Sequence, residues 1–389
     1  MKAPVTHGRS GRARLLTACL VGGSAGWALT APGAAAGTLA DAYGTSLAWV
    51  GLLGAAMAAP YAALQYAGGL LVDRLGVRTA SVSGLTLAAL AHLVGLVAVS
   101  VPLALGARFV AGVGYAACFA AGAELARTSG HGTRGLGIFG GVALAASGAA
   151  VLATSLLAPW AGWRAVWGAT LVVTLVALAL AARLPARAHA APSLLAATAS
   201  HVARDGQLLR LAGIHAATLG LGLVLSSWVT TLLTGLWRFE PAAAAVTGSA
   251  LLGLSVVSRP LGGMFSARWP HRSRGLWVAA LTTCAVATGA LAVPTVPAVA
   301  VGAVLLLGVF SGLPFAGVVG AAQRRAPGRP GAAVGLMNTL AFGGVVAATP
   351  AVGWAMDRGQ TTPAVLALAV LWVVPVAVLP ALEVTQPDG

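Results

Sequence analysis

Arg259 stands inside a long apolar stretch, in the segment SRPLGGMFSARW that runs from Ser258 to Trp269. A guanidinium keeps its proton at any accessible pH, so its burial must be offset by a counter-charge or by water. Its planar set of donors suits a carboxylate or a small oxyanion. The sequence leaves one alternative open, in which Arg259 donates to backbone carbonyls or extends towards water.

Other polar and aromatic side chains interrupt the apolar stretches and are candidates to act with Arg259. Arg108 is a second arginine in such a stretch, while His92 and His215 could titrate and carry protons. The remaining candidates for contact with a ligand are Tyr61, Gln65, Tyr66, Trp228 and Asn338. For the aromatic residues ordinary packing is the competing interpretation, and for the histidines a structural hydrogen bond is.

The motifs that would indicate an enzyme do not occur. The segment GLGIFG (Gly135–Gly140) has the spacing of a dinucleotide-binding loop, but no strand precedes it, and close helix packing explains it better. Cys19, Cys118 and Cys284 lack the spacing of a metal site, and we interpret them as buried apolar residues. We therefore predict no enzymatic activity, no cofactor, no metal and no disulfide.

The composition is that of a helical membrane protein. Of the 389 residues, 58% are hydrophobic and 8% are charged, with a mean hydropathy of +0.90. Soluble domains have about 25% charged residues, so this chain could not cover a soluble surface. Its apolar runs are about 20 residues long, the length that crosses a bilayer. The net charge of +15 lies in short clusters between these runs, which argues against a nucleic-acid partner.

Hydropathy and turn residues predict twelve helices, which we number as spans 1 to 12. They cover residues 14–37, 46–71, 79–101, 103–126, 135–158, 162–184, 208–234, 242–266, 275–294, 297–322, 331–355 and 363–382. The first apolar run also has features of a cleavable signal peptide, but its length favours a membrane helix. We predict a bundle of six helices over 1–184, a cytoplasmic linker over 185–206 and a second six-helix bundle over 207–389.

The distribution of arginines predicts the orientation. Nearly all of those outside the spans precede span 1 or lie between spans 2–3, 4–5, 6–7, 8–9 and 10–11, whereas the alternate loops hold only Arg164, Arg238 and Arg358. By the positive-inside rule both termini are cytoplasmic. We expect a multi-pass protein of a bacterial inner (plasma) membrane, in contact with membrane lipid and monomeric.

An internal repeat relates the two bundles. The segment Leu64–Arg78 aligns with Ser258–Arg272. In this alignment Gly68 and Gly69 match Gly262 and Gly263, Arg74 matches Arg268, Arg78 matches Arg272, and Gln65 matches Arg259. Repeated six-helix halves are typical of a transporter whose substrate site lies between the halves, near the middle of the membrane. Helix rise places Arg259 at about that depth.

The chain resembles the major facilitator superfamily of transporters at several motifs. The segment GLLVDRLGVR resembles the signature of the loop between spans 2 and 3, at Gly69, Asp73, Arg74, Gly76 and Arg78. RFVAGVG resembles the motif of span 4, GWRAVWG the start of span 6, and AELARTSGHGTRG supplies Glu124, Arg127 and Arg134. The resemblance implies twelve helices in two bundles and a signature cluster that latches the cytoplasmic side. Ordinary topology-setting charge is the alternative for that cluster.

Within this superfamily, SRPLGG is similar to the span-8 pattern of oxalate–formate, monocarboxylate and nitrate/nitrite transporters, in which the arginine contacts the anion. Nitrate transporters have a second arginine in span 2, where this chain has Gln65. The resemblance therefore favours a carboxylate. For Arg108 it implies a structural or proton-coupling role.

The predicted function is secondary transport of a small organic (carboxylate) or inorganic anion by alternating access, with a co-transported or exchanged proton or anion left open. The alternative is a proton-coupled efflux antiporter for drugs or other hydrophobic compounds. Exporters of this kind carry a Gly-Pro pair in span 5 and acidic residues within the membrane. Here span 5 has no Gly-Pro pair, and no acidic residue is predicted at the depth of Arg259.

Overall fold

The structure, a computed structural model, describes residues 9–185, 204–326 and 330–379. Within these ranges the chain is helical and contains no β-strand. Spans 1 to 6 comprise the helices Arg9–Ala34, Leu47–Ala63, Gln65–Val97, Val101–Arg127, Gly132–Ala161 and Arg164–Ala182. Spans 7 to 12 comprise Gly206–His215, Gly222–Gly235, Pro241–Gly253, Ser255–Arg268, Ser273–Ala292, Pro297–Phe310, Phe315–Arg325, Pro330–Asp357 and Thr361–Ala377.

The twelve predicted spans all correspond to helices of the described residues. Ten segments are long and apolar enough to cross a membrane, and the helices Leu47–Ala63 and Thr361–Ala377 supply spans 2 and 12. A short helix that was not predicted, Ala36–Tyr43, precedes span 2 at an angle of 107°. Most of the predicted linker, residues 186–203, lies outside the described residues.

Hydrogen bonds between helix ends define the two sides of the molecule. On one side Arg14, at the start of span 1, bonds Thr128 at the end of span 4, and Arg325 bonds Asp205 at the start of span 7. We call this the basic side, because it carries most of the arginines. On the other, distal side, Thr362 at the start of span 12 donates to a carbonyl at the end of span 9.

Span 1 is an integral part of the bundle. It packs against spans 4, 5, 6 and 7. The hydroxyl of Ser147 in span 5 donates to the Gly26 carbonyl at 2.6 Å, and Thr30 donates to the Ser147 carbonyl at 2.8 Å. These bonds hold the first apolar run among its neighbours as a membrane helix.

Four spans that the sequence predicted as continuous are interrupted. Span 2 breaks at Leu64, and span 8 breaks at Leu254. Span 7 contains the π-helical segment Ala216–Leu221, and span 10 is irregular over residues 311–314. At the last of these, spans 8 and 10 come so close that a Cβ added to Gly312 would lie 1.9 Å from the Ser258 hydroxyl. Tertiary contact, which hydropathy does not report, therefore accompanies the interruption of span 10.

The turn between spans 2 and 3 depends on Gly76. The helix Gln65–Val97 runs through the predicted loop, and within it only Gly76 leaves helical geometry, at φ 78° and ψ 159°. This region of backbone space is accessible essentially to glycine alone. The backbone conformation therefore requires a glycine at Gly76, the second glycine of the loop signature.

The two halves of the molecule are packed closely on the distal side. Span 2 contacts span 11, span 5 contacts span 8, and span 1 contacts span 7. A Cβ added to Gly33 would lie 2.0 Å from the Ser227 carbonyl oxygen, and one added to Gly148 would lie 2.5 Å from that of Ser249. In the described structure the two halves are therefore in direct backbone contact towards the distal side.

Candidate substrate site

Six residues on six spans lie at one depth between the halves. Each is eight to ten residues from the basic end of its helix, which is about 12–15 Å by helix rise. They are Gln65, Gly140, His215, Arg259, Phe315 and Asn338. Since the apolar core of a bilayer is about 30 Å thick, this depth is near its middle.

Arg259 is the centre of this group. Arg259 is buried, and its Nη1 donates to the Gly140 carbonyl of span 5 at 3.1 Å. The guanidinium carbon lies 3.8 Å from the centre of the Phe315 ring, a stacked cation–π contact. Its Nε is buried without a partner, and the two ion pairs found among the described residues lie elsewhere. One carbonyl and one ring therefore satisfy only part of this guanidinium.

His215 and Asn338 form a second polar pair beside the same ring. The His215 Nε2 and the Asn338 Oδ1 lie 3.0 Å apart, and the His215 ring centre is 5.9 Å from that of Phe315. The other ring nitrogen, Nδ1, is buried without a partner in the described structure. Phe315 thus joins spans 7, 8 and 10, and three residues predicted from the sequence meet around it.

Tyr61 and Phe342 lie just distal to this group of residues and form its distal boundary. Tyr61 lies one turn distal to Gln65, and Phe342 one turn distal to Asn338. Their rings, from opposite halves, meet edge to face with centres 4.9 Å apart, and both are buried. Gln65 is half-buried and its Nε2 has no described partner. The predicted residues Tyr61 and Gln65 therefore adjoin the site, although no described contact joins them to Arg259.

Trp228 lies apart from the site. It is 22 residues from the basic end of span 7, and its Nε1 donates to the Thr349 carbonyl at 3.1 Å. Its ring also approaches Gly353 in the closed distal interface. The structure thus places Trp228 among the distal contacts between helices. The side chain of Tyr66 is outside the described residues.

Arg108 is bound entirely within the first half. Its Nε donates to the Leu53 carbonyl at 3.0 Å and its Nη2 to the Ala28 carbonyl at 2.8 Å. Pro32, four residues after Ala28, has no N–H, so the Ala28 carbonyl lacks its usual helical donor. Arg108 supplies the missing donor. None of its nitrogens is among the buried atoms that have no partner.

His92 also lies in the interior of the first half. Its Nε2 is 3.0 Å from the Tyr115 hydroxyl, which is 2.6 Å from the Thr174 hydroxyl. This chain of hydrogen bonds joins spans 3, 4 and 6. It is separate from the group around Arg259.

Comparison with known proteins shows the family. The model of the Major Facilitator Superfamily matches residues 16–349. The chain belongs to this superfamily. It is a multi-pass membrane protein of a transporter family, which implies a small-molecule substrate.

Solved structures share the fold of this superfamily member. One is a variant of the nucleoside transporter NupG, with 12% identity and a TM-score of 0.74 over 94% of this chain and 98% of that one. Another is the human organic anion transporter MFSD10, with 16% identity and a TM-score of 0.70 over 96% of this chain and 100% of that one. These identities support the shared fold alone. No curated protein matches the chain.

In this superfamily member, the first glycine of the loop signature lines a cleft together with charged residues of span 4. The cleft has a volume of about 230 Å³ and its lining includes Gly69, Glu124 and Arg127. Glu124 accepts from the Arg127 Nε at 2.7 Å. Arg74 and Arg78 are exposed. The side chains of Asp73 and Arg134 lie outside the described residues, so the gating role of this cluster stays a prediction.

Sequence reasoning missed Phe315 and Gly140, which hold the Arg259 side chain on two sides. In the sequence Phe315 is indistinguishable from the other apolar residues of span 10. Gly140 contributes a backbone carbonyl, which every residue has and which no sequence pattern can indicate. The segment Gly312–Leu313–Pro314 could have indicated Phe315, because a glycine and a proline in mid-span predict an interrupted helix.

Proposed function

We propose that this superfamily member is a secondary transporter of small organic anions, and that Arg259 binds the carboxylate of the substrate. A comparison of the two buried arginines supports this proposal. Arg108 is held by two carbonyls, one of which lacks its usual helical donor. Arg259 makes one described hydrogen bond and keeps a buried Nε without a partner.

The unpartnered Nε carries the proposal. A buried polar group without a partner costs about 1–3 kcal/mol, and more when it is charged. A carboxylate that accepts two parallel N–H bonds would remove this cost and neutralise the charge. Because Phe315 stacks on one face of the guanidinium, the substrate would approach its edge.

The neighbouring side chains favour an organic over an inorganic anion. The packed rings of Tyr61 and Phe342, one turn from the polar level, make the distal boundary of the site apolar, which suits the apolar part of an organic acid. Gln65, at the position that repeats Arg259, could donate one hydrogen bond but no positive charge. One arginine beside aromatic rings suits a monocarboxylate.

The bond between Arg259 and Gly140 connects substrate binding to alternating access. It joins span 8 in the second half to span 5 in the first. A carboxylate that engages Arg259 competes with this carbonyl and weakens one contact between the halves. In the transport cycle the halves then tilt about the site, and the distal contacts separate while the basic side closes.

The remaining parts of the proposal concern orientation and coupling. The basic side is cytoplasmic, in a bacterial inner (plasma) membrane, and the protein works as a monomer. His215 is the residue proposed to exchange a proton during transport, since it lies beside Phe315 and pairs with Asn338. The loop signature, with Asp73 and Arg74, latches the cytoplasmic side in the opposite conformation.

A thermal-shift screen of the purified protein tests the proposal. The probes are benzoate, succinate, nitrate and tetraphenylphosphonium, each added to the parent, to Arg259→Gln and to Arg358→Gln. Arg358 is the matched control, because its guanidinium also stacks at 3.8 Å on a ring, that of Trp354, but is exposed. We expect a carboxylate to raise the melting temperature of the parent and of Arg358→Gln, but not of Arg259→Gln.

The efflux alternative makes the opposite prediction. If no anion stabilises the parent while the lipophilic cation stabilises all three proteins, the anion proposal is wrong. Stabilisation of Arg259→Gln by the same carboxylate to the same extent would also refute the role of Arg259.

A further inference from the structure

Asp357, at the distal end of span 11, caps the start of span 2 in the other half of the molecule. Its Oδ1 accepts from the Leu47 amide at 2.8 Å and its Oδ2 from the Ala48 amide at 2.9 Å. These are the first two residues of the helix Leu47–Ala63. The two partners are separated by about 310 residues of sequence.

The first amides of a helix have no acceptor within the helix, and a nearby side chain usually supplies one. Two other spans follow this rule. Asp205 accepts from the first amides of span 7, and Glu240 accepts from those of span 8. At span 2 the residue in the capping position, Ser46, makes no such bond. Asp357 takes its place from the opposite half.

A cap within one half and a cap between the halves respond differently when the halves tilt. A local cap moves with its helix, so the bonds of Glu240 persist whichever way the halves tilt. The bonds of Asp357 cross the interface and must break when spans 2 and 11 separate distally. The carboxylate also interacts favourably with the positive end of the span 2 helix.

The surrounding contacts show that this junction closes the distal side. A Cβ added to Gly353, one turn before Asp357, would lie 2.5 Å from the Leu47 carbonyl oxygen. One added to Gly51 would lie 2.7 Å from the Pro350 backbone. The backbones of the two helices therefore meet within two turns of the carboxylate, and a small separation of the helices would break its bonds.

We propose that Asp357 is a gating residue that holds the distal side closed and sets the ratio of distally open to distally closed protein. Its action is independent of the substrate and of the role proposed for Arg259. A charge-assisted pair of bonds at an exposed site is worth roughly a fivefold change in this ratio. Salt should reduce the effect, because Asp357 is exposed.

Distances between spin labels test the proposal. The labels are attached to Val99→Cys and Val296→Cys, two exposed distal positions in opposite halves, in a background without the three native cysteines. Double electron–electron resonance then gives the populations of short and long distances. We expect Asp357→Asn, which is nearly isosteric, to raise the long-distance population about fivefold relative to the short one, and Asp357→Glu to remain closer to the parent.

Glu240→Gln is the matched control, since it weakens the same kind of cap within one half. It should lower thermal stability without changing the distance distribution. An equal shift in Glu240→Gln and Asp357→Asn, or no shift in Asp357→Asn, overturns the proposal.

A change on the other side of the contact keeps the test decisive if Asp357→Asn folds poorly. Leu47→Pro removes one donor at the first helical position, where proline is tolerated, and Leu47→Ala removes the side chain but keeps the donor. We expect the distal opening to increase in Leu47→Pro beyond that in Leu47→Ala. Equal distributions in these two variants contradict the proposal.

Discussion

Arg108 and Pro32 are expected to be energetically coupled, although they lie on different spans. Replacing Arg108 by methionine removes the buried charge and its two hydrogen bonds, to the carbonyls of Ala28 and Leu53. The Leu53 carbonyl keeps the donor of its own helix, four residues further on. The Ala28 carbonyl lacks that donor, because Pro32 occupies the corresponding position.

The size of the effect follows from this single orphaned carbonyl. A buried acceptor left without a donor costs about 1–3 kcal/mol, and Ala28 is fully buried. Pro32→Ala restores a backbone donor to that carbonyl. We therefore expect Arg108→Met alone to lower the free energy of unfolding by about 1–3 kcal/mol, and Pro32→Ala to recover about 1–2 kcal/mol of it in the double variant.

Equilibrium unfolding of the four proteins in mixed detergent micelles, followed by tryptophan fluorescence, measures this coupling. In the parent background Pro32→Ala should change stability little, since Arg108 already satisfies the carbonyl. If the effects of the two substitutions add to within about 0.5 kcal/mol, Arg108 does not stabilise the protein by supplying a donor to the Ala28 carbonyl, and the reasoning is refuted.

Two further predictions concern stability. Gly76→Ala should lower the free energy of unfolding by about 1–3 kcal/mol, because φ is 78° at this position. Gly69→Ala is the control, since a Cβ there meets open space, and it should change the free energy by less than about 0.5 kcal/mol. Equal losses of stability on thermal unfolding of the two variants would contradict the prediction. Burial would raise the pKa of the Asp205 carboxyl, but hydrogen bonds from Arg325 and from the first amides of span 7 outweigh it and lower the pKa. The parent should therefore be more stable than Asp205→Asn at neutral pH. The difference should begin to shrink near pH 3.9, about the ordinary pKa, and disappear as the pH falls through the lowered pKa of the folded protein. A difference that persists at still lower pH would show that charge is not its source.

Hydropathy predicted the number and order of the spans but not their interruptions. Apolar length is the same whether a span is continuous or broken, so residues 311–314 and the π-helical segment Ala216–Leu221 had no signal of this kind. The short helix Ala36–Tyr43 was not predicted, because the few residues between spans 1 and 2 have only the length of a connecting loop. Close contact between backbones, as between Gly312 and Ser258, becomes visible only in three dimensions.

The candidate site was predictable where a residue was costly to bury. An arginine in an apolar span is conspicuous, so Arg259 was found from the sequence. His215 and Asn338 each stand out as polar residues in apolar spans, but their pairing depends on the rotation of spans 7 and 11, which hydropathy does not predict. Asp357 was missed as a functional residue because an acid at a helix end looks like a loop charge.

Uptake into proteoliposomes tests the central claim most directly. The probe is the carboxylate that stabilises the parent most in the thermal-shift screen, radiolabelled, with the parent, Arg259→Gln and Arg358→Gln compared at a concentration well below saturation. Loss of one partner of a buried charge pair costs about 2–5 kcal/mol, so we predict that uptake by Arg259→Gln falls at least about thirtyfold. Arg358→Gln should transport like the parent. Uptake by Arg259→Gln at the rate of the parent would contradict the claim that Arg259 binds the substrate.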